Sequence, residues 1–543
     1  MLESQLARLS AEARRLEPLH LRELLKDPSR FAFGARRVGP LLLDLSKQKL
    51  DAQALETLGA IAEEARWSSA RDAMFRGDAI NASERRPVLH TALRAREAKL
   101  ASPAPRAVLD EIAATQEAMA KLVDAVHGGT DGGFDLATGI TDVINLGIGG
   151  SDLGPRLAVE ALREFDAGKV RCHFLPNVDG HRTAALMRAL DPKKTLVLLV
   201  SKSFTTQETL LNGSVLREWL AAAYAGERAK GDRHLVAVSA NVEAARAFGI
   251  PAARVLPMWD FVGGRYSVWS AVGLVLALAI GMPHFRAFLA GAALVDDHFR
   301  TAPWRDNLPV LLALAGVWNR NALGFQSSAV IPYHDYLAEL PAYLQQLEME
   351  SLGKRVTPVG EPVAKATVPV IWGNVGTNAQ HAFFQALHQG TDVVPVDFVG
   401  CVRAAHALAA NHDALLANML AQGAAFALGK TYEEALAEAK GGSDAERHAL
   451  AMQRTFPGDR PSTTILLDAL TPQSLGALLA LHEHKVFVEA TLWGINAFDQ
   501  WGVELGKTLA RDIQPSLAPG VDASRFDAAT RGLIESIRGG PAA

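Results

Sequence analysis

Val143-Ile144-Asn145-Leu146-Gly147-Ile148-Gly149-Gly150-Ser151-Asp152-Leu153-Gly154-Pro155 reads as a short apolar strand running into a glycine-rich turn that opens a helix. The apolar run lacks the alternation of a half-exposed strand, so it is expected to be covered on both faces. Residues 195–200 and 234–238 repeat the pattern, with helix-compatible stretches between them. Buried strands alternating with helices over 141–282 imply a parallel sheet flanked by helices on both sides.

Working outward, a second α/β block begins near residue 283, with apolar strands expected at 367–372 and 392–398 and a helix at 378–389. Upstream, residues 1 to about 129 carry alanine, leucine and mixed charge at three- and four-residue spacings, which predicts an all-helical wrapping segment. Beyond about residue 510, Pro515, Pro519 and Gly520 precede one more amphipathic helix at 524–537, and this stretch reads as an extended arm.

Composition sets the outer bounds. The 543 residues are 49% hydrophobic, enough for large cores in more than one domain. Lys and Arg number 55 against 59 Asp and Glu, a formal charge of -4, so the chain has no global attraction for nucleic acid or an anionic membrane. Cys172 and Cys401 are too few for a disulfide framework, which fits a reducing cytoplasm. The start of the chain reads as neither signal peptide nor anchor. The apolar run 268–280 is shorter than the roughly 20 residues of a bilayer span and is expected to be a buried helix.

Six constellations carry chemistry. Gly149-Gly150-Ser151 lets backbone amides approach an anion at a helix start, although a plain tight turn and a dinucleotide loop also fit. Ser201-Lys202-Ser203-Phe204-Thr205-Thr206 places hydroxyls and a lysine at a strand's carboxyl end, as phosphate oxygens need; a simple N-cap is the alternative. Gly263-Gly264-Arg265 offers a cation for an oxygen that gains charge. Gln346 and Glu350 lie four apart on one helical face while Glu348 points elsewhere, so an amide and a base can share a site, although a solvated acidic face also fits. His381 stands on the first turns of a helix, where imidazole can exchange a proton near neutrality. No zinc-type spacing of histidines occurs. Near the C-terminus, Gln500, Glu504 and Lys507 share a polar helical face, with a ligand-binding and an ordinary surface reading both open.

Together these segments resemble the glucose-6-phosphate isomerase family along nearly the whole chain. The resemblance is carried by Asp260-Phe261-Val262-Gly263-Gly264-Arg265-Tyr266-Ser267-Val268-Trp269-Ser270-Ala271-Val272-Gly273 and by Phe498-Asp499-Gln500-Trp501-Gly502-Val503-Glu504-Leu505-Gly506-Lys507. It implies an α/β fold of two sugar-isomerase-type domains, with parallel-rich sheets flanked by helices. The expected division is an N-terminal helical segment (1–125) packed on the large domain, a smaller domain (126–283), a larger domain (284–510) and a C-terminal arm (511–543).

The resemblance also implies interconversion of glucose 6-phosphate and fructose 6-phosphate without cofactor or metal. Glu350 would move the proton between C2 and C1, Arg265 would steady the cis-enediolate, and His381 with Lys507 would assist ring opening. Ser201, Lys202, Ser203, Thr205 and Thr206 would hold the phosphate, with Gly150, Ser151, Gln346 and Gln500 completing the sugar site. It further implies a cytoplasmic homodimer that donates His381 across its interface and binds neither nucleic acid nor membrane. Three positions depart from the commonest family form: Ser203 stands for threonine, Leu352 for asparagine and Ala379 for glycine.

Overall fold

The computed structural model describes residues 3–539 and contains eleven strands in two sheets. They are β1 (Ala35–Val38), β2 (Leu41–Asp44), β3 (Asp142–Leu146), β4 (Arg171–Phe174), β5 (Thr195–Val200), β6 (Leu235–Ser239), β7 (Val255–Pro257), β8 (Ser327–Tyr333), β9 (Val370–Gly373), β10 (Val396–Arg403) and β11 (Ser462–Ala469). The first sheet runs β4-β3-β5-β6-β7 with every pair parallel. Every residue of β3, β5 and β6 is buried, as their predominantly apolar runs lead one to expect, and the polar Asp142, Asn145, Thr195 and Ser239 are buried with them. At ~1.5–3 kcal/mol for each large aliphatic side chain removed from water, these strands anchor the core around Ile144, Val197, Leu199 and Leu235.

The chain leaves β3 for β4 on one side and returns to β5 on the other. The carboxyl ends of β3 and β5 therefore flank a topological switch point, where open parallel sheets form a ligand crevice. Both the Gly149–Ser151 turn and the Ser201–Thr206 loop lie at those ends.

The second sheet runs β1-β2-β11-β10-β8-β9, parallel from β11 to β9. Its antiparallel edge corrects the expectation of an all-helical N-terminal segment, because β1 and β2 form a hairpin that pairs with β11. Ala-Arg-Arg-Val and Leu-Leu-Leu-Asp are each only four residues long, too short to show a period of their own. The expected helix at 378–389 is also two helices, Asn378–Ala382 and Phe384–Gln389, interrupted where Phe383 leaves helical geometry.

Four helices position the site: α1 (Leu153–Ala161), α2 (Gln207–Ala222), α3 (Leu274–Thr301) and α4 (Pro472–Trp493). The 268–280 run enters α3, as its apolarity demands, and α3 bends at Gly281, whose φ of 79° leaves the helical region. Residues 271–301 are long and apolar enough to cross a membrane, yet most of that stretch is buried within the protein. Long contact between α3 and α4 rests on glycine. A Cβ on Gly291 would lie 1.8 Å from the Gln473 carbonyl oxygen, and one on Gly476 would lie 1.9 Å from that of Phe288.

A charged cluster is buried beside these helices. Arg94 donates to both oxygens of Asp296 on α3 at 2.7 Å and to Glu483 on α4 at 2.7 Å. His484 lies 2.6 Å from Asp296 and Trp269 donates to Glu483 at 2.7 Å, so the buried charges are paired rather than isolated.

Residues 3–497 form one compact unit and residues from Phe498 another. The second contains helices Glu504–Ile513 and Ala528–Arg538 joined through a 3-10 turn, Gln514–Leu517.

Candidate active site

The Gly149–Ser151 turn and the Gly264–Tyr266 turn meet backbone to backbone. A Cβ on Gly150 would sit 2.0 Å from the Gly264 carbonyl oxygen and 2.6 Å from the Arg265 nitrogen, so only glycine permits the approach. Gly149, at φ 60°, faces the Gln346 amide, whose nitrogen is 2.9 Å from where a Cβ would stand. Two turns far apart in sequence are thus brought to the same place as the helix that carries the candidate base.

Arg265 is almost fully buried and held on several sides. Its Nε donates to Ser351 Oγ at 2.6 Å, Nη2 donates to the Ala497 carbonyl at 2.5 Å, and Nη1 lies 3.3 Å from Glu350 Oε1. The Tyr266 hydroxyl is 2.9 Å from the same Ser351 hydroxyl. Gln346 Nε2 donates to Glu350 Oε2 at 2.8 Å, so the carboxylate is oriented by an amide on one oxygen and a guanidinium on the other. The Glu350 side chain keeps 21% exposure against 1% for Arg265, which leaves the carboxylate as the group that can reach an incoming molecule.

Glu350 ends a π-helical turn, Gln345–Glu350, that continues the helix Leu340–Leu344. The expected shared face for Gln346 and Glu350 is present, and Glu348 points into the core, where it is buried. π turns occur often at functional sites because they re-aim side chains from a helix.

The hydroxyl loop has its own order. Ser201 Oγ and Thr206 Oγ1 are 3.0 Å apart, and Ser203 Oγ and Thr205 Oγ1 are 2.6 Å apart. Thr206 is the N-cap of α2 but makes no side-chain capping bond, so its hydroxyl faces the loop instead of the helix amides. The simple N-cap reading therefore fails for Thr206. Lys202 Nζ donates to the carbonyls of Asp260 and Val262 at 3.2 and 3.3 Å, tying this loop to the turn that carries Arg265. Burial lowers the Lys202 pKa, with Asp260 opposing that effect.

The sequence-predicted residues thus divide in three. Gly150, Ser151, Arg265, Gln346 and Glu350 form one contiguous cluster, and Ser201, Lys202, Ser203, Thr205 and Thr206 form a loop linked to it through Lys202. His381 is exposed and makes no side-chain hydrogen bond among the described residues. Gln500 and Lys507 belong to the C-terminal unit, where Lys507 pairs with Glu504 at 2.9 Å. Among the described residues, no three His, Cys, Asp or Glu side chains converge as they would around a metal ion.

Sequence reasoning missed Ser351, which joins Arg265 and Tyr266, and Asp260 as the partner of Lys202. Ser351 had a signal, since it directly follows the candidate base. Leu352 and Ala379, which depart from the common family pattern, are both fully buried.

Comparison with known proteins gives this geometry a family context. A family model described as phosphoglucose isomerase matches residues 44–534. The chain is 49% identical over 535 residues to a glucose-6-phosphate isomerase of Stenotrophomonas maltophilia, covering 98% of each chain. It is 50% identical over 511 residues to one of Methylibium petroleiphilum, covering 92% of this chain and 90% of the relative. The crystal structure of a glucose-6-phosphate isomerase from Chlamydia trachomatis superposes with a TM-score of 0.84 at 33% identity, covering 98% of both chains.

Proposed function

Because this chain belongs to the phosphoglucose isomerase family, we propose that it interconverts D-glucose 6-phosphate and D-fructose 6-phosphate through ring opening and a cis-enediolate. The observation that carries this reading is the Glu350 carboxylate, held between Gln346 and Arg265 and partly open, beside a hydroxyl loop at the sheet's switch point.

In the open-chain aldose, Glu350 takes the proton from C2 and the freed electron pair forms the C1–C2 double bond. Negative charge moves to O1, where the Arg265 guanidinium is a fixed, water-excluded partner. Returning the proton to C1 while the O2 proton passes to O1 yields the ketose, with no net change in redox state. His381 and Lys507 serve the earlier step, exchanging protons with the ring oxygen and O1 as the pyranose opens. The phosphate rests on Ser201, Lys202, Ser203, Thr205, Thr206 and the amides that start α2, a site suited to an anion by its unsatisfied N–H groups. Gly150, Ser151, Gln346 and Gln500 hold the sugar.

The assembled enzyme is a cytoplasmic homodimer in which each protomer lends His381 to its partner and the C-terminal segment wraps the neighbour. Exposure of His381 supports this arrangement, as does the absence of any intrachain side-chain bond to it among the described residues. The four-part division at residues 125, 283 and 510 belongs to the same proposal.

The test is conversion of fructose 6-phosphate to glucose 6-phosphate by chelator-treated protein, followed through added glucose-6-phosphate dehydrogenase. Rapid signal that depends on this protein is expected. Binding of 6-phosphogluconate with no turnover would replace the enzyme by a silent sugar-phosphate binder.

A further inference from the structure

Behind the candidate base lies a second buried ionic group that the reaction described above does not use. Lys485 on α4 donates to Glu348 Oε2 at 2.5 Å, and both residues are almost wholly inaccessible. His482 Nδ1 is 3.6 Å from the other Glu348 oxygen, and Glu489 is 3.7 Å from Lys485. Glu348, Lys485 and Glu489, with Asp397, Thr463 and Arg320, line a cavity of ≈ 30 Å³. Two π-helical turns border that space, Trp318–Ala322 through Asn319 and Arg320, and Gln345–Glu350 through Glu348.

Glu348 is two residues from both Gln346 and Glu350, so in π winding it projects about half a turn away from them. Pinning Glu348 inward therefore aims Gln346 and Glu350 outward. A buried carboxylate cannot leave its only close ammonium cheaply, since an unpaired charge in the interior costs several kcal/mol. The pair thus acts as an internal anchor for the turn whose outer face orients the base.

We propose that the Lys485–Glu348 pair is a positioning clamp that holds the Gln345–Glu350 turn in π register, and so sets Glu350 against Arg265. The proposal rests on Glu350 being the base. Without the clamp the turn rewinds toward ordinary helix, and Glu350 shifts relative to Arg265 and the substrate carbon. Displacement of about 1 Å costs roughly 10²-fold in rate.

The test takes E489Q as its reference enzyme, because Glu489 lies 3.7 Å from Lys485 and would otherwise be left unpaired, and compares it with the same chain carrying K485M or E348M/K485M, the second of which removes both charges of the pair. Replacing a buried pair by apolar groups of similar size is often neutral for stability, so a purely structural role predicts that the double variant regains full kcat. The clamp predicts instead that kcat in the double variant stays about 10- to 100-fold low with KM changed less than about threefold, alongside faster amide exchange at residues 345–351. A double variant with the reference kcat, or with unchanged exchange protection, overturns the proposal. Should the charge-free chain fail to fold, K485R decides, because it retains the charge but relocates the donor: a lowered kcat at unchanged Tm supports the clamp, and an unaltered kcat overturns it. E350Q run in parallel separates the two readings. Isomerisation undiminished in E350Q removes Glu350 as base and with it the clamp's catalytic purpose, whereas an inactive E350Q beside a fully active double variant removes the clamp alone.

Discussion

Glu350 and Arg265 show how far single residues determine the chemistry. Replacing Glu350 by glutamine preserves the shape and the position beside Gln346 but removes the carboxylate proposed to accept the C2 proton. A general base contributes about 10² to 10⁴ in rate, so E350Q is expected to lose kcat by that order while binding 6-phosphogluconate as wild type does; calorimetry and the coupled assay read the two separately. The shared face of Gln346 and Glu350 was legible in their four-residue spacing, which left a solvated acidic face open as well; the role proposed for Glu350 came from the family resemblance. The π winding was not legible, since nothing in Gln-Gln-Leu-Glu-Met-Glu distinguishes it from an α-helix; a buried lysine 137 residues away holds it. Ser351 illustrates the same limit, as its hydroxyl has a purpose only once Arg265 and Tyr266 arrive from another part of the chain.

At the scale of elements, β5 and α2 explain why the Ser201–Thr206 loop is proposed as the anion site. The strand ends and the helix begins within six residues, and the one hydroxyl placed to cap the helix turns toward Ser201 instead. Substituting both Ser201→Ala and Thr206→Val is expected to raise KM about a hundredfold or more with a smaller change in kcat, because two hydrogen bonds to a charged phosphate are worth roughly 1.5–3 kcal/mol each. A raised kcat effect with unchanged KM would count against the phosphate assignment. The parallel sheet was legible because its central strands β3, β5 and β6 are rich in apolar residues, whereas β4 (Arg-Cys-His-Phe) is not, and β1 and β2 are stabilised by pairing with β11 more than 400 residues later and carry no local signature. Elements also meet through charge. Burial opposes ionisation of Asp296, but the charge of Arg94 and hydrogen bonds from His484 and Arg94 outweigh it and hold its pKa at about 2 against an ordinary 3.8. A depressed carboxylate stabilises the native state fully above the unfolded pKa and loses that contribution as pH falls through the folded one, an effect of about 2 kcal/mol. The urea midpoint is therefore expected to fall between about pH 4 and pH 2 and to do so less steeply in D296N.

The whole molecule raises a question of assembly, since His381 is exposed and makes no side-chain hydrogen bond to the cluster around Glu350 among the described residues. If each site draws Glu350 from one protomer and His381 from the other, two separately inactive variants should complement. Equal amounts of E350Q and H381N, unfolded and refolded together, should form half heterodimers with one complete site each, and so recover roughly a quarter of wild-type activity. No recovery from a mixture that forms heterodimers would place both residues in one protomer's site. The reciprocal glycine contacts between α3 and α4 bear on a different matter, the kind of genetic repair open to the protein. At Gly59 an added methyl would strike the Trp304 ring at 2.2 Å, so trimming that ring to leucine in G59A should restore part of the lost Tm. At Gly291 and Gly476 the obstacle is a carbonyl of the opposing main chain, which every amino acid possesses. A suppressor search in G291A should thus return no change at Gln473, and the two helices form a joint that drift elsewhere in the core cannot renegotiate.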